Sequence, residues 1–267
     1  MNPAFGRAGR YLDRVRRTFA ARERAAGSRE ELPGGRDRWI EVSLQWLLAE
    51  FGRDVLMRPV VRPAELIPVA YAGTESAARA LFAAVCTLMD LSVEKLELRF
   101  DLGGSAVLTG EPEGSDGRQE SEEFLAGLWT LTEAGSTIAV APRLIGDPVR
   151  LVATFAHELG HELLVGSGRI EPTHPAHESL TDLLTIFTGL GVFTANAAIG
   201  YIPTRDGKGR RMVAHGYLRE GALSEALAHY ALLRGELGIP RWTKDLDRSV
   251  RWLTIGRLER LRSRRAK

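Results

Sequence analysis

Apolar residues recur at helical spacing along most of this chain and switch to strand-like alternation in one stretch near its middle. Tyr11, Leu12, Val15 and Phe19 fall on one face of a predicted helix with arginines around the rest. This basic arm and the linker that ends it, GSREELPGG, occupy residues 1–35. Asp37 is placed to cap a helix reading WIEVSLQWLLAEFG, closed by Gly52. A stretch punctuated by Pro59, Pro63 and Pro68 leads to a second helix near ESAARALFAAVCTLMD. VEKLELRFD then alternates apolar and polar residues, as a strand does. AVLT offers a short partner strand, FLAGLWTLT fits a strand or a helical turn, and STIAVAP is a strand ending at Pro142.

The remainder reads as helical. One helix runs from Asp147 to Gly166, the next from Thr173 to about Asn196, and a loop TRDGKGRR follows. LREGALSEALAHYALLRGE and an amphipathic stretch around Val250, Leu253, Leu258 and Leu261 complete the chain. The expected class is α+β: a small mixed or antiparallel sheet packed on the helix 147–166, then a mostly helical C-terminal half. A single domain is expected over 36–267. Its parts are helices and sheet at 36–146, a pair of site helices at 147–200 and a helical part at 201–267.

Composition narrows the partners. The formal net charge is +2, which selects no partner class. Its distribution is uneven: residues 1–30 hold eight arginines against Asp13, Glu23 and Glu30, whereas EPEGSDGRQESEE at 111–123 holds six acids and one arginine. The basic ends suit an acidic partner, but the arm lacks the aromatic and glycine motifs of a nucleic-acid binder. The lone Cys86 cannot form an intrachain disulfide, the arginine-rich start has no apolar core of a secretory signal, and the apolar run from Leu180 contains Asp182 and Asn196. A cytoplasmic protein without a membrane span is expected.

The chemistry concentrates in ATFAHELGHELLVG. Asp147 can cap this helix, Pro148 suits its first position, and Gly166 suits the position past its end. His157 and His161 are four residues apart, so they share a face about 6 Å apart along the axis. Both imidazoles can then point at one ion at about 2.0–2.1 Å. Glu158 is rotated by roughly 100° from His157 and can take a proton from a water there rather than ligate. That is the physical content of the H-E-x-x-H pattern, a zinc pair plus a general base. Apolar flanks place the motif on a buried helix, where two histidines and a glutamate without partners would be costly.

A third ligand is sought in the next helix, HESLTDLL. Glu178 and Asp182 are i and i+4 on one face near its start, and an antiparallel return after residues 166–172 would bring that face beside the histidines. Glu178 is the expected ligand, with His174, His177 and Asp182 as other donors. Asp182 can accept a hydrogen bond from the free ring nitrogen of a ligand histidine, His157 first. Three protein ligands and an open fourth position define a catalytic zinc site.

Over residues 140–200 the sequence resembles the gluzincin branch of the H-E-x-x-H zinc metallopeptidases. There a downstream helix supplies a glutamate in an E-x-x-x-D arrangement, matched here by His157, Glu158, His161, Glu178 and Asp182. The metzincin pattern fails, since positions 164 and 167 are Leu164 and Ser167. The resemblance implies a zincin-like fold, one Zn²⁺, a peptide or protein substrate, and Glu158 as the base. It also implies a strand before the site helix that pairs with extended substrate, which assigns Thr137, Ile138, Ala139 and Val140. A histidine or tyrosine from a later segment would stabilise the oxyanion. His215 and Tyr217 are preferred because they follow the glycine-containing GKGRR loop; Tyr201, His229 and Tyr230 are the others. Two rival readings keep the motif: a non-catalytic interaction module with a zincin core, and a zinc hydrolase of a non-peptide amide.

Overall fold

Alternating patterns become strands only where their backbones find partners, and those pairings set the frame. The computed structural model of the chain describes residues 35–102, 126–133, 135–203, 210–214 and 218–265. The arm, the acidic segment 111–123, the AVLT stretch, His215 and Tyr217 lie outside them. The fold is α+β and mostly helical, with eight α-helices and a small three-stranded mixed sheet among the described residues. The chain divides into two compact units. One is Pro63–Glu171, and the other joins the residues up to Arg62 with Pro172–Lys267.

The first unit holds helices α2 (Pro63–Leu66), α3 (Glu75–Leu88) and α4 (Pro148–His161), with strands β1 (Leu96–Arg99), β2 (Gly127–Thr132) and β3 (Gly135–Val140). Thr74 caps α3 by accepting from the Ala77 N–H at 3.3 Å. Ala78, Leu81, Phe82, Val85 and Cys86 form its buried stripe at helical spacing. Phe82 meets Phe155 of α4 edge to face, with centroids 5.1 Å apart. Burial pushes the Cys86 thiol up to about 12, so it stays protonated and acts as a small core residue.

The sheet order is β1-β3-β2, with β1 parallel and β2 antiparallel to β3. Asp147 caps α4 as its position predicts, accepting from the Arg150 N–H at 3.2 Å, with Pro148 in the first turn. Asp147→Ala is expected to lower stability by about 1 kcal/mol, read by thermal unfolding.

The second unit is helical: α1 (Arg36–Leu56), α5 (His177–Phe187), α6 (Gly191–Ala197), α7 (Glu220–Leu233) and α8 (Arg248–Arg265), with a hairpin of β4 (Ile199–Pro203) and β5 (Arg210–Ala214). Asp37 lies in the first turn of α1 rather than at its cap, which is Gly35. Gly52 interrupts α1 with φ 86°, and one further turn follows it. The single helix expected over 173–196 is two helices, α5 and α6. Gly189 at φ 91° makes the break, and a Cβ there would meet the Pro59 carbonyl at 2.9 Å.

Helix α7 is buried from Ala222 to Ala231 and packs on α1, α5, α6 and α8. Tyr230 and His229, weighed as oxyanion donors, are packing residues here: Tyr230 is buried at the core and His229 faces Glu225. Arg234 donates to the carbonyls of Leu56 and Arg58, which ties the end of α1 to the end of α7.

Between α7 and α8 sits a charged cluster. Glu225, only 6% exposed, lies 2.7 Å from the Arg257 Nε and 3.4 Å from the His229 Nε2. His229 first, then Arg257, holds the Glu225 carboxyl below the usual carboxylate range against the opposing pull of burial. No described helix is long and apolar enough to cross a membrane.

Candidate metal centre

Helix α4 supplies the core of the site because its face at 154, 157, 158 and 161 points away from the apolar contacts of Phe155 and Leu159. Glu158 and His161 are buried and His157 is half-buried. The two Nε2 atoms lie 3.2 Å apart, with the rings edge to face at 4.8 Å and 86°. Two nitrogens each about 2.0–2.1 Å from a tetrahedral ion would be separated by about 3.3 Å. The observed spacing fits that separation, and it also fits a single N–H···N bond.

Beyond His161 the helix widens into one π-helical turn, Glu162–Gly166. This turn aims Glu162 at the sheet, where its Oε2 accepts from Trp129 Nε1 at 2.8 Å and from Ser136 Oγ at 2.5 Å. A Cβ at Gly166 would lie 2.7 Å from Glu162 Oε2, so a side chain there would displace the carboxylate. Trp129 in turn stacks on the His161 ring, with centroids 6.1 Å apart and planes 27° apart. Single-turn π-bulges inside α-helices concentrate at functional sites. Here the bulge turns an acid away from the His157–His161 face and uses it to hold the tryptophan.

On α5, Glu178 lies 3.0 Å from His177 Nε2, and His177 Nδ1 lies 2.9 Å from the His174 carbonyl. Asp182 is almost fully buried, and its Oδ2 accepts from the Leu218 N–H at 2.8 Å. His157, His161 and Glu178 form the group among the described residues that could hold a metal ion. Two imidazoles and one carboxylate are a donor set that suits zinc.

The strand expected to take substrate lies inside the sheet. Thr137, Ile138 and Ala139 belong to the middle strand, paired with β1 on one side and β2 on the other, and Val140 pairs with Gly127. Thr137, Ile138 and Ala139 thus have strand neighbours on both sides, and Val140 has one on the β2 side alone. Both β2 and β3 pack on α4. In β2 the contacts reach the histidine face: Gly127 faces Glu158 and Thr154, and Trp129 faces His161. Gly127, Trp129, Ser136 and Glu162 were not singled out by sequence. Their one visible signal is an acid, Glu162, set directly after the second histidine on a buried helix.

Comparison of the chain with protein-family models, with curated proteins and with solved structures finds no match.

Proposed function

We propose that this chain is a zinc-dependent metallopeptidase with one Zn²⁺ held by His157, His161 and Glu178. The observation that carries the reading is the 3.2 Å approach of the two Nε2 atoms on a buried helix face, with Glu158 between them in sequence. When bound, zinc supplies a Lewis acid and lowers the pKa of its water towards about 7. Glu158 accepts the proton of the attacking water and delivers it to the leaving amine. Trp129 and the Glu162–Ser136 pair keep the His161 ring in one plane, so less ordering is left to metal binding. On the gluzincin resemblance, Asp182 would accept a hydrogen bond from a ligand histidine, His157 first. The oxyanion donor is sought at His215 and Tyr217.

An intact Glu158 supports a catalytic role over a scaffold, since a scaffold has no use for a buried base. Products of a peptide library separate a peptidase from a hydrolase of other amides.

Metal analysis tests the ligand set. The purified chain, dialysed against zinc and then buffer, is expected to retain about one equivalent, and His157→Ala to retain almost none. Glu178→Ala should lose more than the about 10–100-fold in affinity that outer partners of a zinc site contribute. Stoichiometric zinc that survives Glu178→Ala but not His157→Ala moves the third ligand elsewhere. Zinc uptake unaffected by His157→Ala leaves the histidine spacing as a plain hydrogen bond.

A further inference from the structure

The first residue of strand β2, Gly127, lies directly against α4. A Cβ built on Gly127 would lie 2.6 Å from Glu158 Oε1, 2.9 Å from Glu158 Cγ and 2.7 Å from Thr154 Cγ2. Side-chain carbons are essentially never that close, so an alanine here would force something to move.

The strand is held on its other side. Gly127 pairs with Val140, and the preceding Ala126 carbonyl accepts from the Ala141 N–H at 2.9 Å. Thr154 is held as well, its Oγ1 donating to the Arg150 carbonyl at 2.9 Å. The Glu158 side chain is the part with rotamers to spare, so it is the part that yields.

We propose that Gly127 is a positioning residue that sets where the Glu158 carboxylate sits. The slot in front of the strand backbone is occupied by the base itself, and only a hydrogen at position 127 leaves it free. The consequence for rate rests on Glu158 being the base of the peptidase proposed above. A carboxylate turned to another rotamer moves by more than the few tenths of an ångström over which proton transfer stays efficient.

Unfolding of the metal-free protein in urea and turnover of the zinc-loaded protein test the two halves separately. Gly127→Ala is expected to reduce the folding equilibrium constant about tenfold or more. The same substitution should cost severalfold less in a Thr154→Ser, Glu158→Ala background, with Glu158→Ala giving the larger part of the relief. If Gly127→Ala alone fails to fold while the triple variant folds, the coupling is shown equally well. An equal cost in both backgrounds overturns the proposal.

In turnover, Gly127→Ala should keep its zinc and a KM within about twofold while kcat falls about tenfold or more. In a Glu158→Gln background it should change the residual rate by less than about twofold. Wild-type kcat in Gly127→Ala overturns the positioning role. Absence of hydrolysis by the wild-type chain would instead sink the peptidase reading, and the unfolding coupling still decides whether Gly127 shapes the Glu158 slot.

Discussion

On the proposed mechanism, Glu158→Gln is expected to retain zinc and lose hydrolysis, with kcat reduced by about 10²–10⁴-fold. Glutamine has the shape of the glutamate it replaces, so the slot in front of Gly127 stays filled and α4 keeps its packing. The substitution removes the one property the proposed mechanism asks of this position, a carboxylate able to take and return a proton. The histidine pair is untouched, so zinc content measured on the same sample should match the wild type. The loss corresponds to about 3–5 kcal/mol of barrier, more than a small change in positioning accounts for. A variant that cleaves peptides at the wild-type rate removes Glu158 from the mechanism. A variant that loses zinc as well makes Glu158 part of the metal site instead.

The second large effect is on stability and lies away from the site. Glu225→Gln is expected to cost about 3 kcal/mol, because it leaves the Arg257 charge and the His229 ring without their buried counter-charge. That is a large share of the roughly 5–15 kcal/mol by which a domain is stable. The pH dependence follows from the lowered pKa of the folded state.

An ordinary glutamate titrates near about 4.3, so the contribution of Glu225 is complete above that value. It disappears as pH falls through the lower folded-state pKa, when the folded chain must also take up the proton. Wild-type stability should therefore fall with acid across this window, and the Glu225→Gln chain should fall less steeply. Urea unfolding at neutral pH and at several acidic values measures both. Parallel pH profiles for the two chains would mean that the cluster contributes no net stability.

Much of this was legible locally. The Asp147-Pro148 start fixed the frame of α4, and that frame alone placed His157 and His161 on one face. Burial of Leu81, Phe82, Val85 and Cys86 follows the 3.6-residue period of their spacing. What escaped depends on partners distant in the chain. The Trp129–Glu162 hydrogen bond spans 33 residues, and the alternation within β2 carries no trace of it.

The place of β3 inside the sheet is legible in its own composition. Four consecutive apolar residues, Ile138 to Ala141, are the mark of a strand enclosed on both faces and flanked on both sides. The β4–β5 hairpin was hidden by Gly200 and Pro203, residues that individually argue against a strand. Gly189 ended a helix early because its φ of 91° is open to glycine, a backbone fact that apolar periodicity does not encode.

The division of the chain has a bearing on its synthesis. The unit Pro63–Glu171 is one continuous stretch, whereas the helical unit needs residues from before and after it. A ribosome therefore releases α1 long before α5 and α7 exist, with Trp39, Ile40, Leu44 and Leu47 still lacking the helices that will bury them. The inserted unit has all its own strands and helices at hand by Glu171 and can mature in the meantime. Arg234, made after α5 and α6, then ties down the end of the waiting helix through the Leu56 and Arg58 carbonyls. In this order of events the histidine helix is made before Glu178, the third ligand proposed for zinc.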